Sequence, residues 1–128
     1  MNEGSTPPSV PKAVVLEDDR DLCDIVVSVL RQGGFDVEGY CDAKSAIEAV
    51  MRWRPDVVLT DLRLVGMDGF ELCRKLAKLV PHTPVVVLSG ERDARAAALA
   101  AGAKAFLRKP VEMDELLRVL HGLAAQET

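Results

Sequence analysis

Five short runs of aliphatic, mostly β-branched residues, each followed by a segment of helical spacing, restrict the fold of this 128-residue chain more than any other feature. The runs cover residues 13–16, 35–40, 57–60, 85–88 and 105–107. Most are continuously apolar rather than alternating, the pattern of strands buried on both faces of a parallel sheet beneath covering helices. The run at 35–40 is the least apolar and suits an edge strand. Five β-α units with right-handed crossovers predict a doubly wound α/β sandwich. One domain of this size buries enough aliphatic surface to fold without disulfides.

The first helix is expected to turn Leu22, Ile25, Val26, Val29 and Leu30 toward the core, from their i, i+3, i+4, i+7, i+8 spacing, and to end at Gly33-Gly34. A second runs from the N-cap Asp42 to Trp53, before Pro55. A third opens at Asp68 and points Phe70, Cys73, Leu76 and Leu79 inward. The fourth, over 92–101, offers mainly Ala94, Ala97, Ala98, Leu99 and Ala101, so it forms readily but is anchored by little area. The fifth, from about Glu112, carries Leu116, Leu117, Leu120 and Leu123 on one side. Residues 1–11, rich in Ser, Thr and Pro, read as a tail or linker; 12–125 form the domain and 126–128 a short C-terminal tail.

Sixteen basic against twenty acidic residues leave a net charge of -4, which argues against a nucleic-acid surface and for a protein or cation partner. Cys23, Cys41 and Cys73 lack C-x-x-C spacing, so neither a disulfide framework nor structural zinc is expected. No secretory leader and no membrane-spanning run is apparent, which suggests a cytoplasmic protein.

Two strands end in acid: Glu17-Asp18-Asp19 after the first and Asp61 after the third. Ligands of open parallel sheets bind beyond the carboxyl ends of the strands, so both groups belong to one rim. Carboxylates converging without a cation would repel and raise at least one pKa, which marks a hard-cation site, suited to Mg²⁺. Ser89 and Lys109 end the fourth and fifth strands and bring a hydroxyl and an ammonium to the same rim, a set able to bind phosphoryl oxygens. No phosphate-cradling glycine loop occurs, so the phosphoryl group must come from a donor other than a bound nucleotide.

The ordered motifs V-V-L-E-D-D, V-V-L-T-D-L-R-L-V-G-M-D-G, V-V-V-L-S-G and F-L-R-K-P resemble a response-regulator receiver (CheY-like) domain over nearly the whole chain. The resemblance implies a flavodoxin-like five-stranded parallel sheet of order 2-1-3-4-5. It implies Asp61 as phospho-acceptor, with Glu17, Asp18, Asp61 and the backbone carbonyl of Arg63 holding Mg²⁺, for which Mn²⁺ could substitute. Ser89 and Lys109 would bind the phosphoryl oxygens, and Ser89 with Phe106 would form the switch. The donor would be a sensor histidine kinase or a phosphotransfer protein. The output would be a protein target on the face of the fourth helix, fifth strand and fifth helix, with the chain a monomer or a phosphorylation-dependent dimer, binding no nucleic acid or membrane directly. Such a protein is a signalling phosphoacceptor rather than an enzyme, assisting its own phosphorylation and dephosphorylation. Lys109-Pro110 resembles the family's cis peptide.

Val65 stands where the family commonly has proline, Phe106 where it has tyrosine, and Ser89 where it has threonine. Arg63 and Glu91, two residues past Asp61 and Ser89, are expected to pair over the site as a gate on dephosphorylation. Asp19 and Asp68 read as helix caps, Cys23 and Cys73 as small buried hydrophobes, and His82 and His121 as plain surface residues. Three other readings compete: an interaction module that no longer uses phosphate, a receiver cut from a hybrid kinase or longer regulator, and an aspartyl-nucleophile phosphatase. The last would need D-x-D after the first strand, where Glu17-Asp18-Asp19 stands.

Overall fold

The computed structural model describes residues 10–126, so most of the expected tail at 1–11, and the last two residues of the tail at 126–128, lie outside the described residues. Five strands, β1 (Lys12–Leu16), β2 (Asp36–Tyr40), β3 (Val57–Thr60), β4 (Val85–Ser89) and β5 (Ala105–Arg108), form one parallel sheet of order β2-β1-β3-β4-β5. The order expected from the resemblance is therefore observed, with the weakly apolar β2 at an edge. The strand register aligns Leu16 with Thr60 and Ser89 with Arg108, so the residues that follow, Glu17, Asp61 and Lys109, all emerge at one end of the sheet.

Helices α1 (Arg20–Gln32), α2 (Ala43–Trp53), α3 (Gly69–Leu79), α4 (Arg95–Ala100) and α5 (Met113–Ala124) cover both faces. The alternation of side chains along each strand divides the core in two. Val14, Leu16, Val58 and Val87 pack with Val50, Leu72, Leu76 and Ala98 under α2, α3 and α4. Val15, Val57, Leu59 and Val86 pack with Val27, Leu30, Leu116 and Leu120 under α1 and α5. Because β1, β3 and β4 are sandwiched, nearly every residue of theirs is buried, which is why their sequences show no alternation.

The expected caps form. Asp19, Asp42 and Asp68 accept hydrogen bonds from the backbone N–H of Leu22, Ser45 and Phe70 at 3.1, 2.8 and 2.9 Å. Gly34 takes a φ of +103° after α1, a conformation that a Cβ would strain, and so ends the helix as expected.

Three helix faces differ from expectation. In α1, Ile25 is 58% exposed while Cys23 and Val27 are buried, because the helix rests on the edge pair β1-β2 through Cys23, Val26, Val27 and Leu30. The expected stripe was thus rotated toward Ile25. In α3 the buried set is Leu72, Cys73 and Leu76, and Leu79 in the last turn is partly exposed. The expected fourth helix is split: Arg92–Ala94 forms a 3₁₀ turn with Asp93 outside helical geometry, and only Ala94, Ala98 and Ala101 are buried, leaving Ala97 and Leu99 outside.

Candidate functional site

Three charged side chains from three strand ends meet at the carboxyl rim. Lys109 Nζ lies 3.0 Å from Asp61 Oδ2 and 3.4 Å from Glu17 Oε1. The two carboxylates are largely enclosed, their side chains 11% and 9% exposed, and the ammonium bridges them. The peptide Lys109-Pro110 is cis, as the resemblance implied, and Lys109 N–H donates to the carbonyl of Ser89 at 2.9 Å.

The other oxygens of the acids are held by backbone. Asp61 Oδ1 accepts from Leu62 N–H at 2.6 Å and, more weakly, from Arg63 N–H at 3.3 Å. Glu17 Oε2 accepts from Asp19 N–H at 3.2 Å, and Glu17 N–H donates to the carbonyl of Tyr40 at 3.0 Å. These bonds place both carboxylates before any ligand arrives. The loop after Asp61 closes because Gly69 lies against it: a Cβ there would stand 2.5 Å from Leu62 Cα, and Gly69 N–H donates to Leu62 O at 3.1 Å.

Burial pushes the Glu17 carboxyl above its ordinary value, aided by the neighbouring acids Asp18 and Asp61 and opposed by Asp19 N–H and by Lys109. For Lys109, burial works against the ammonium, but its hydrogen bond and attraction to Asp61, joined by Glu17, prevail and raise its pKa. Lys109 and Glu17 thus shift in opposite senses of charge stability: the cation is held charged, while the acid is under electrostatic load.

Asp61, Arg63, Ser89, Gly90, Glu91 and Lys109 line a polar cleft of about 260 Å³. Ser89 is 1% exposed, and its Oγ accepts from Glu91 N–H at 3.1 Å. Over the cleft, Arg63 Nε and Glu91 Oε2 stand 3.6 Å apart, the pairing expected from their positions, with side chains 80% and 42% exposed. Asp18 is exposed beside Glu17 and makes no ion pair or hydrogen bond to Asp61 or Lys109 among the described residues. Phe106 lies outside the cleft, 3% exposed in the core under α4, with the guanidinium of Arg95 5.4 Å from its ring centre.

Hard oxygen donors fit a divalent cation here. Glu17, Asp18 and Asp61 oppose the single ammonium of Lys109, a deficit of two positive charges in a partly buried cleft. Among the described residues no three His, Cys, Asp or Glu side chains converge tightly enough to cage a metal by themselves. A cation bound mainly through water and phosphoryl oxygens, as Mg²⁺ commonly is, suits that arrangement.

Some features were not legible in the sequence. His121 is not a plain surface residue: it is half-buried, its ring 4.2 Å from that of Phe35 and its Nε2 2.7 Å from the carbonyl of Gly33. Arg95 could not be assigned to Phe106, nor Cys41 to Cys23, because only the packing of α4 and α1 on the sheet sets those distances. His82 is exposed, and Cys23 and Cys73 are buried, as expected.

The family model described as "Response regulator receiver domain" matches residues 13–121. The DNA-binding response regulator MtrA of Mycolicibacterium paratuberculosis is 36% identical over 108 residues, 83% of this chain and 48% of MtrA. The chain thus spans about half the length of that relative. The solved receiver domain of NtrX from Brucella abortus superposes with a TM-score of 0.84 at 30% identity, covering 90% of this chain and 99% of that one. The receiver domain of the sensor histidine kinase PA1611 from Pseudomonas aeruginosa, described with a magnesium ion in its active-site cleft, gives a TM-score of 0.83 at 25% identity, covering 92% and 100%. No helix among the described residues is long and apolar enough to cross a membrane.

Proposed function

The chain belongs to the response regulator receiver family, a family of signalling phosphoacceptors, and from that premise we propose that Asp61 is the residue phosphorylated, with Glu17, Asp18, Asp61 and the Arg63 carbonyl holding Mg²⁺. The observation that carries this assignment is the meeting of Asp61, Glu17 and Lys109 at one strand-end rim, where the single ammonium faces two carboxylates and Asp18 stands beside them. Mn²⁺, with the same preference for oxygen donors, would serve in its place.

In the reaction, a carboxylate oxygen of Asp61 attacks phosphorus in line with the P–N bond of a phosphohistidine. The O–P bond forms as the P–N bond breaks, and the bonding electrons leave with the imidazole. Lys109 contributes a fixed positive charge beside Asp61 Oδ2, where charge on the transferred oxygens must be offset. Bound Mg²⁺ supplies further neutralisation of phosphoryl oxygens in the same cleft. Backbone N–H groups of Leu62 and Arg63 hold the nucleophile against rotation. Ser89 Oγ already accepts from Glu91 N–H, so its own hydroxyl hydrogen can turn to a phosphoryl oxygen.

That movement of Ser89 is the proposed start of the switch, and Phe106 answers it by turning into the vacated space, reshaping the α4-β5-α5 face for a protein target. Water attacking the acyl phosphate resets the state, with Arg63 and Glu91 as the gate on its approach. The donor is a sensor histidine kinase or phosphotransfer protein in the cytoplasm.

Incubation with a small-molecule phosphodonor, followed by peptide mass spectrometry, tests the assignment. A Mg²⁺-dependent, hydroxylamine-labile phosphoryl adduct on Asp61, absent from Asp61→Asn, is expected. An adduct elsewhere, or one indifferent to Mg²⁺, would refute it.

A further inference from the structure

Cys23, on the first turns of α1, is 3% exposed, and its Sγ lies 3.8 Å from the carbonyl oxygen of Tyr40 at the end of β2. A Cβ built on Gly39 would stand only 2.9 Å from that sulfur. Residue 39 therefore turns toward Cys23, and the Tyr40 carbonyl that the sulfur approaches belongs to the peptide unit joined to Cys41, the first residue of the bend between β2 and α2. After burial, Cys41 is the first-named neighbour that pushes the Cys23 thiol up, in keeping with that backbone approach. Cys41 is half-exposed and can be reached from solvent. Cys73 is buried on the opposite face of the sheet among α3 residues, so it is an internal control.

We propose that Cys23 and Cys41 are a reversible redox modification site, forming a disulfide on exposure to hydrogen peroxide and so stapling the start of α1 to the end of β2. The accessible Cys41 thiolate attacks the peroxide oxygen, the O–O bond breaks, and water leaves after one proton transfer, giving a sulfenic acid on Cys41. The Cys23 sulfur then attacks the Cys41 sulfur; the S–S bond forms, the S–O bond breaks, and the second water departs with the Cys23 proton. Two thiols and one peroxide thus give one disulfide and two waters.

This order of events follows from the two environments. Burial pushes the Cys23 thiol up to about 11, so it is a poor first nucleophile and serves as the resolving partner. Disulfides of reducing compartments are characteristically transient and sensing, which agrees with two unlinked thiols in this structure. The staple also reaches the acidic rim. The Tyr40 carbonyl beside Cys23 Sγ accepts from Glu17 N–H, and Cys23 N–H donates to Asp19 O at 2.9 Å, so both ends of the acidic loop rest on the cross-linked segments.

Trypsin separates the three cysteines, cutting after Arg20, Arg31, Arg63, Lys44 and Arg74 and placing Cys23 on peptide 21–31, Cys41 on 32–44 and Cys73 on 64–74. The fully reduced folded protein is treated with hydrogen peroxide, quenched, unfolded in the presence of iodoacetamide and digested without reductant. The expected product is peptide 21–31 linked to 32–44, released by dithiothreitol, retained in Cys73→Ser and absent from Cys41→Ser. Cys41 alkylation should fall severalfold in step with its appearance. Sulfinic or sulfonic acid on Cys41 with Cys23 still fully alkylated, or a cross-link formed only when peroxide is added in urea, would overturn the proposal.

Discussion

Lys109 Nζ reaches Asp61 Oδ2 at 3.0 Å across 48 positions of sequence, and the same ammonium touches Glu17 Oε1 at 3.4 Å. Before any ligand binds, this lysine is the positive charge between two acids drawn from adjacent strand ends. It lowers the cost of the acidic rim without cancelling it, since the Glu17 carboxyl remains raised.

That residual load predicts a pH-dependent stability. The folded Glu17 carboxyl titrates above the 4.5 of its unconstrained value, so between those two values the folded state binds more protons than the unfolded one. Stability from this group is full below 4.5 and is lost as pH rises through the folded value. In metal-free buffer, Glu17→Gln should therefore stabilise the protein at neutral pH, by about 1 kcal/mol, because one charge leaves an enclosed cluster. The gain should vanish in acid. Thermal melting across pH with chelator measures it, and a destabilised Glu17→Gln at neutral pH would contradict the electrostatic account. Lys109 acts at the other limit: its stability is full below 10.5 and lost as pH rises through its raised folded value.

The ion pair between Arg63 and Glu91 is too exposed to steady the fold. An exposed pair is worth about 0–1 kcal/mol, so breaking it should change a barrier by no more than about fivefold. Arg63→Ala is expected to shorten the lifetime of phospho-Asp61 within that limit and leave the melting temperature unmoved. Raised salt should reproduce the effect in the unmodified protein, because screening weakens the same attraction. An unaltered lifetime in Arg63→Ala would remove the gate.

Arg95 holds its guanidinium over the face of Phe106 from the first residue of α4. Such a contact is worth about 0.5–1 kcal/mol near a surface and acts on the ring where it packs under α4. Arg95→Ala should cost about that much in urea denaturation. It should also shift the Phe106 ring signals, which NMR can follow because the chain has three phenylalanines. Unchanged ring signals would show that Arg95 does not bias the switch.

Two glycines of the rim should respond unequally. At Gly69 an added Cβ meets the Leu62 backbone at 2.5 Å, and backbone cannot step aside as a side chain tip can. Gly69→Ala should cost about 1–3 kcal/mol and slow phosphorylation by displacing the segment next to Asp61. Gly90 has nothing within 4 Å of the same construction, and Gly90→Ala should stay within about 0.5 kcal/mol of the parent. Equal effects at the two positions would contradict this steric reading.

The sandwich, its strands, the three aspartate caps and the acidic rim were legible in the residue order, because each rests on local rules. Burial on both faces writes a continuous apolar run, a cap writes an Asp before a helix, and a strand end at the carboxyl rim puts Asp61 and Glu17 on the same rim of any open parallel sheet. The strand order 2-1-3-4-5 came instead from likeness to a family. What tertiary structure alone decided is how the helices sit on the sheet. Rotation of α1 buried Cys23 and Val27 rather than Ile25, and a break at Asp93 shortened α4. The encounters of Cys23 with the Tyr40 carbonyl, Arg95 with Phe106 and His121 with Gly33 follow from that packing. Helical spacing defines a stripe only to within a residue or so, and side-chain contacts between elements depend on where the whole surface closes best.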